Sequence, residues 1–462
     1  MKSRFFETAL GVFVVLFFLS LAMDNSGHVM LRMAFGASLL AGYVLLRINE
    51  GKERKRLGIT DSLFGLFLIF QIARAAWGLW LVVSAAPSLQ EGLYIAAPLH
   101  WSFCVGFFLL GRHFYTKRSR VLNLCLVMGV SGVFLAFNAI PPLLISGKSG
   151  FIDEGINKFF WAPLYFHPWV ENYLLARYSN LNLIGDVMAF GFFPLLGMAF
   201  YKAFHALDSR GAEGSGKDWS LSFLYLSFAV SIAVAVFLIF SRGTMISFLG
   251  ANLFFLAPLF LKYGLKGHGK WIFGAIAGII FFVVWAGNFK AAWKEVQTVQ
   301  TEVGTQAKGS WATNVEGSRR ALRIFKHEWP LGAGSDGYKA FAKRYGTPGE
   351  ERHMVADVFA MSHYKQLMAE EGAGSFLYFL FLAAYFSEAG FALWKIRSRF
   401  KFIMGISLMS PAVMVLGHAA INYLLQRFNM SILLYITMGA SLGVLKGGSP
   451  ERARSEETAG QE

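Results

Sequence analysis

Long apolar runs separated by short basic clusters set the pattern of this chain. A bilayer core of roughly 30 Å needs about 20 apolar residues per helix. On that measure twelve spans are predicted, at about 5–23, 29–48, 61–84, 93–110, 121–140, 183–204, 219–240, 244–261, 271–287, 373–394, 402–421 and 429–446. Lys2 and Arg4 precede the first run, as in a signal peptide. No small-residue cleavage site follows and further spans come at once, so the run reads as a retained helix. Two polar stretches interrupt the pattern, at about 141–182 and 288–372. Loops of that length without structure are uncommon unless they are functional. The second has helical character: in GSRRALRIFKHEW, Ala321, Leu322 and Phe325 fall at near-helical spacing before Pro330 and a glycine turn. The expected fold is all-α, a polytopic membrane bundle of about 12 transmembrane helices carrying a partly helical outer loop domain.

Composition agrees. Of 462 residues, 55% are hydrophobic, 16% aromatic and only 15% charged, against about 25% charged in a typical soluble domain. That excludes a soluble enzyme, a secreted disulfide scaffold and a disordered chain. The net charge of +15 would point to nucleic acid in a soluble protein. In a membrane protein it marks a side of the bilayer. With both termini on one side, more than half of the 43 basic residues fall in the termini and inner loops, while Arg32 and Arg74 lie within spans. This bias places both termini in the cytoplasm. The long second loop carries 12 basic against ten acidic residues, and long segments translocate whatever their charge. Cys104 and Cys125 sit in apolar runs and read as small buried hydrophobes, with no disulfide framework or zinc site.

Ionisable residues at membrane depth are costly, which makes them functional candidates. Arg242, in FSRGTM between two spans, can present its planar fork to a phosphate at the lipid–water boundary. It also reads as an interfacial side chain snorkelling to water. Arg319, Arg320 and Arg323 precede WPLGAGSDGYKAF. On a helix Arg319 and Arg323 share a face and Arg320 points about 100° away. Gly332, Gly334 and Gly337 allow tight turns with exposed N–H groups, an anion nest; the plainer alternative is a solvated basic helix. His363 stands just before a span, where a neutral imidazole can take a proton from an attacking sugar hydroxyl or serve as a hydrogen-bonded interfacial residue. His353 and His327 are alternatives, and Glu370 or Glu371 can orient or replace the base. The other histidines, His418 and His100 among them, show no partner pattern. No HExxH, DxD, P-loop, GxSxG or CxxC motif is present, which argues against zinc proteases, ATP-driven pumps and redox relays.

Three stretches in this order resemble the bacterial O-antigen ligase and O-antigen polymerase superfamily, multi-span glycosyltransferases of the inner membrane. ARYSNLNLIGDVMAFGFFPLL, around Arg177, Asn180 and Asn182, is similar to the family's Asn-containing start of a central span. FSRGTMISFLG resembles its Ser-Arg-Gly turn. SRRALRIFKHEWPLGAGSDGYKAF followed by SHYKQLMAEEGAGSFLYFL resembles its long periplasmic loop, with a Pro-Leu-Gly-x-Gly element and a His before the next span. The likeness covers about 175–395. It implies transfer of a glycan from undecaprenyl diphosphate to an acceptor hydroxyl, without cofactor or metal. Arg242 and Arg319 or Arg320 would hold the diphosphate, His363 would act as base, and Arg177, Asn182, Arg323 and Glu370 would contact substrate. An alignment on Tyr364, Gln366, Glu370 and Gly372 instead sets Met361 at the His position.

The implied donor is an undecaprenyl-diphosphate-linked glycan, and the acceptor is lipid A-core, a second lipid-linked glycan or, as a third alternative, a protein hydroxyl. Membrane lipid is a further partner and nucleic acid is none. The chain divides into 1–287 (spans one to nine, with an outer loop at about 141–182), a periplasmic loop domain at 288–372, spans ten to twelve at 373–446, and a disordered cytoplasmic tail at 447–462. The competing expectation is a twelve-span transporter or flippase for lipid-linked saccharide, which should show two related halves, broken spans and midplane ionisable groups.

Overall fold

A computed structural model describes residues 6, 8–14, 36–44, 58–84, 89–153, 181–209, 215–238, 242–264, 310–334, 337–346, 360–422, 425 and 428–447. These are helical, with no strand among the described residues. After helical stretches at 8–14 and 36–44 come α1 (Ile59–Ser84), α2 (Leu89–Phe114), α3 (Arg118–Asp153), α4 (Leu181–Asp208), α5 (Ser215–Leu238) and α6 (Arg242–Leu259). α6 widens into a π turn at Phe260–Gly264. Three short helices, α7 (Ser310–His327), α8 (Gly337–Phe341) and α9 (His363–Glu371), precede α10 (Gly374–Lys395), α11 (Arg399–Ala419) and α12 (Phe428–Lys446).

Among the described residues, seven segments are long and apolar enough to cross a membrane: Ile59–Trp77, Arg118–Phe137, Ile184–Asp208, Ser215–Leu238, Gly243–Tyr263, Gly374–Lys395 and Arg399–Ala419. The chain is a multi-pass membrane protein. Of the twelve expected spans, 271–287 lies outside the described residues, as does most of 5–23 and 29–48. α3 continues through Pro141 and Pro142 to Asp153, so the first part of the stretch expected at 141–182 is helical. Helices in apolar surroundings tolerate proline where neighbouring groups satisfy the freed carbonyls.

Burial sorts the helices. α4, α11 and α12 are surrounded by protein along their lengths, with Phe190, Phe193, Ile406, Met409, Leu434 and Ile436 inaccessible or nearly so. On α1, α6 and α10, Leu66, Ile69, Leu253, Leu380 and Phe391 face outwards, as side chains against lipid do. Without a hydrophobic drive between helices in lipid, association depends on close backbone approach. Gly132 of α3 meets Gly191 of α4, where an added Cβ on Gly132 would lie 2.8 Å from the Gly191 Cα. At the end where α1 begins and α2 and α12 finish, Arg112 binds Asp61 at 2.7 Å and Glu388 at 2.6 Å. Lys446 and Thr60 also hold Glu388, so one ion network ties α1, α2, α10 and α12.

At the opposite end α7, α8 and α9 enclose a small core of Ala321, Ile324, Ala333, Tyr338, Ala342, Ala360 and Ala369. Alanine there lets α7 and α9 pack closely. The turn after α7 is stitched to the end of α9. The Ala333 N–H donates to the Ala369 carbonyl at 2.9 Å, Gly334 to Glu370 at 3.0 Å, and Ala373 to Pro330 at 2.7 Å. Gly332 (φ 74°) and Gly372 (φ 54°) face each other across this seam, and neither has room for a Cβ. Both positions need glycine for dihedral and for space.

Candidate functional site

α9 opens on His363. Its backbone N–H donates to the carbonyl of Asn422, just beyond α11, at 2.9 Å. Met361, which the shifted alignment sets at the His position, takes φ 54°, a left-handed conformation uncommon outside glycine, and turns the chain into the helix. The His363 ring is 4% exposed and packs edge-on to Tyr364 and Tyr378, with centroids 5.9 and 6.2 Å away. Neither ring nitrogen has a hydrogen-bond partner among the described residues. Burial, with a contribution from His100, pushes its pKa down to about 3, so the ring is neutral at physiological pH.

At the other end of α9, Arg74 of α1 is fully buried and ion-paired with Glu371 at 2.6 Å. It donates to the carbonyls of Leu331 at 3.0 Å and Glu370 at 2.7 Å, and to Gln71 Oε1 at 2.7 Å. One side chain from a membrane helix thus fastens both sides of the α7–α9 seam. The buried charge is neutralised by Glu371, and both terminal nitrogens of the guanidinium donate hydrogen bonds, as burial demands.

A third group joins α4, α6 and α11. His418 Nδ1 lies 2.8 and 2.9 Å from the two carboxylate oxygens of Asp186, both residues buried. Asn422 Nδ2 is 3.4 Å from His418 Nε2. Gly243, the second residue of α6, packs so closely that a Cβ would strike the imidazole. A chain of contacts therefore leads from the start of α6 through His418 and Asn422 to His363.

The expected site residues fall as follows. Arg242 begins α6, beside Gly243 and so next to the His418 contact; its side chain lies outside the described atoms. Asn182 is in the first turn of α4, its side chain likewise outside them, and Arg177 lies outside the described residues. Arg319 is exposed on α7. Arg320 is buried and paired with Glu316 one turn earlier, while Arg323 donates to the Tyr345 carbonyl at 2.9 Å. The Glu370 carboxylate accepts from Gln366 Nε2 at 2.9 Å and from the Tyr338 N–H at 3.4 Å, turned into the loop core. Motif spacing missed Arg74, Asp186, His418 and Asn422. Three of these are ionisable residues inside apolar runs, a signal in itself, but their partners are distant in sequence. No group of three or more His, Cys, Asp or Glu among the described residues could hold a metal ion. Compared with known proteins, the chain matches no family model and no curated sequence.

Proposed function

We propose that the chain is a metal-independent glycosyltransferase of the bacterial inner membrane. It would span the bilayer about twelve times with both termini cytoplasmic and its site at the periplasmic face. It moves a glycan from undecaprenyl diphosphate to an acceptor hydroxyl on lipid A-core or on a second lipid-linked glycan. The observation that carries this reading is His363: a buried, neutral imidazole whose ring nitrogens have no hydrogen-bond partner among the described residues, linked by three contacts, through Asn422 and His418, to the helix start that bears Arg242.

In the proposed step the acceptor O–H gives its proton to the imidazole as its oxygen attacks the anomeric carbon. The bond to the diphosphate oxygen breaks, and its electron pair leaves with the diphosphate. Attack opposite the leaving group inverts the anomeric configuration. Fixed guanidinium groups at a dry interface stabilise the charge developing on the leaving oxygens. Arg242 and Arg319 take this role; Arg319 is favoured over Arg320 because Glu316 already neutralises the latter. A bound diphosphate also raises the proton affinity of a nearby imidazole, so the base strengthens when donor is present.

A transporter is the second reading, and the buried Asp186–His418 pair favours it, since such pairs serve as proton relays in pumps. The pair sits near a helix end, five residues into α4, which suits a surface site better than a midplane one. Transfer in vitro from a defined undecaprenyl-diphosphate glycan, with lipid A-core or a second lipid-linked unit as acceptor, tests the proposal. Product is expected with and without chelator. No product with either acceptor defeats the enzyme reading, and a strict need for a divalent ion defeats the metal-free step.

A further inference from the structure

We infer that Asp186 and His418 are a positioning pair that seats the start of α6, with Arg242, against the start of α9, with His363. A carboxylate only accepts hydrogen bonds, so the Asp186 contacts at 2.8 and 2.9 Å fix the proton of His418 on Nδ1. With that proton fixed, Nε2 faces Asn422 Nδ2 at 3.4 Å and the backbone of Gly243. No Cβ fits at Gly243 against the imidazole, nor at Gly185, which abuts Thr244. α4 and α11 thus cup the first turn of α6 from two sides. The same residue that meets His418 Nε2, Asn422, receives the His363 N–H on its carbonyl at 2.9 Å. Asp186 is inaccessible and His418 is 1% exposed. Such a pair is costly to bury, and an apolar pair of similar volume often packs as well or better, so its presence calls for a task other than stability. Holding two separate elements in register is such a task. The geometry stands by itself; only the activity readout rests on the glycan-transfer reading.

The test uses the full-length protein in nanodiscs, comparing wild type with His418→Ala and Asp186→Asn. Amide hydrogen exchange is expected to rise together in peptides covering 242–248 and 361–366, and to stay unchanged around Arg112 at the far end. In the transfer assay His418→Ala is expected to lower kcat by about 10²-fold, the scale of a small misplacement of reacting groups, with donor KM nearly unchanged. Adding His418→Ala to His363→Ala should cost clearly less than the product of the two single losses, since part of the effect of a positioning residue acts through His363. Faster exchange in only one segment, or in neither, overturns the pairing, as does a full additive loss in the double variant. If His418→Ala does not fold, His418→Asn keeps a donor toward Asp186 and replaces it in both measurements, with the same coupled rise expected. A wild-type protein that transfers no glycan defeats the enzyme reading alone, because hydrogen exchange still decides the pair.

Discussion

His363 is held neutral by its surroundings, and that state has consequences at residue scale. Its pKa in the folded protein, about 3, lies below the ordinary 6.5, so between those values the unfolded chain binds a proton that the folded one refuses. Stability therefore falls as pH drops through that window, by about 2 kcal/mol at pH 5 from this group. His363→Gln should remove that dependence; thermal unfolding at pH 7 and pH 5 measures it, and an equal acid loss in both proteins would contradict the assignment. For catalysis, the hypothesis of an imidazole base predicts that His363→Ala loses several orders of magnitude in transfer. An active His363→Ala alongside an inert Glu371→Ala would show the base to be elsewhere. Arg242→Ala and Arg319→Ala should abolish transfer with membrane insertion intact, and near-normal rates in both would end the diphosphate-clamp hypothesis. Arg320→Ala leaves Glu316 buried without its partner, so its effect should appear as loss of loop stability. The adjacent arginines look alike in sequence, and only the packing of α7 on α9 separates their tasks.

At the scale of elements, the α7–α9 unit owes its attachment to one arginine and two glycines. Arg74→Met removes the buried cation and strands Glu371, a change of the kind that costs about 3–5 kcal/mol. The prediction is release of the unit from the bundle, seen as proteolysis within 310–371 under conditions where wild type is intact; unchanged protection would mean that the seam holds without Arg74. Gly332→Ala combines a positive φ of 74° with a clash against the Glu370 carbonyl. It should loosen the same seam, whereas Gly250→Ala, at an open position, should not. The helical character of α7 is legible from its apolar spacing. The docking partner is not, because Arg74 lies 257 residues before Leu331 in the chain and nothing local marks the pairing.

For the whole molecule, the charge pattern predicts orientation and the fold makes it testable. Cys104 and Cys125 are both buried, so a single added cysteine reports on its own position. Membrane-impermeant maleimide should reach Arg319→Cys in intact sphaeroplasts and Arg397→Cys only after permeabilisation, both positions being exposed; the reverse pattern would invert the topology. The amino-acid sequence by itself determined that the chain is helical and membrane-embedded, where apolar runs begin and end, and that an arginine stands at a span end and a histidine shortly before a span. These are local properties, written in hydropathy and in neighbouring residues. Only the tertiary structure decided that Asp186 meets His418 across 232 residues, that Arg74 clasps the turn after α7, and that Arg320 is neutralised by Glu316. Burial and hydrogen-bond satisfaction depend on which distant helices pack together, and in an apolar chain many packings share one hydropathy pattern.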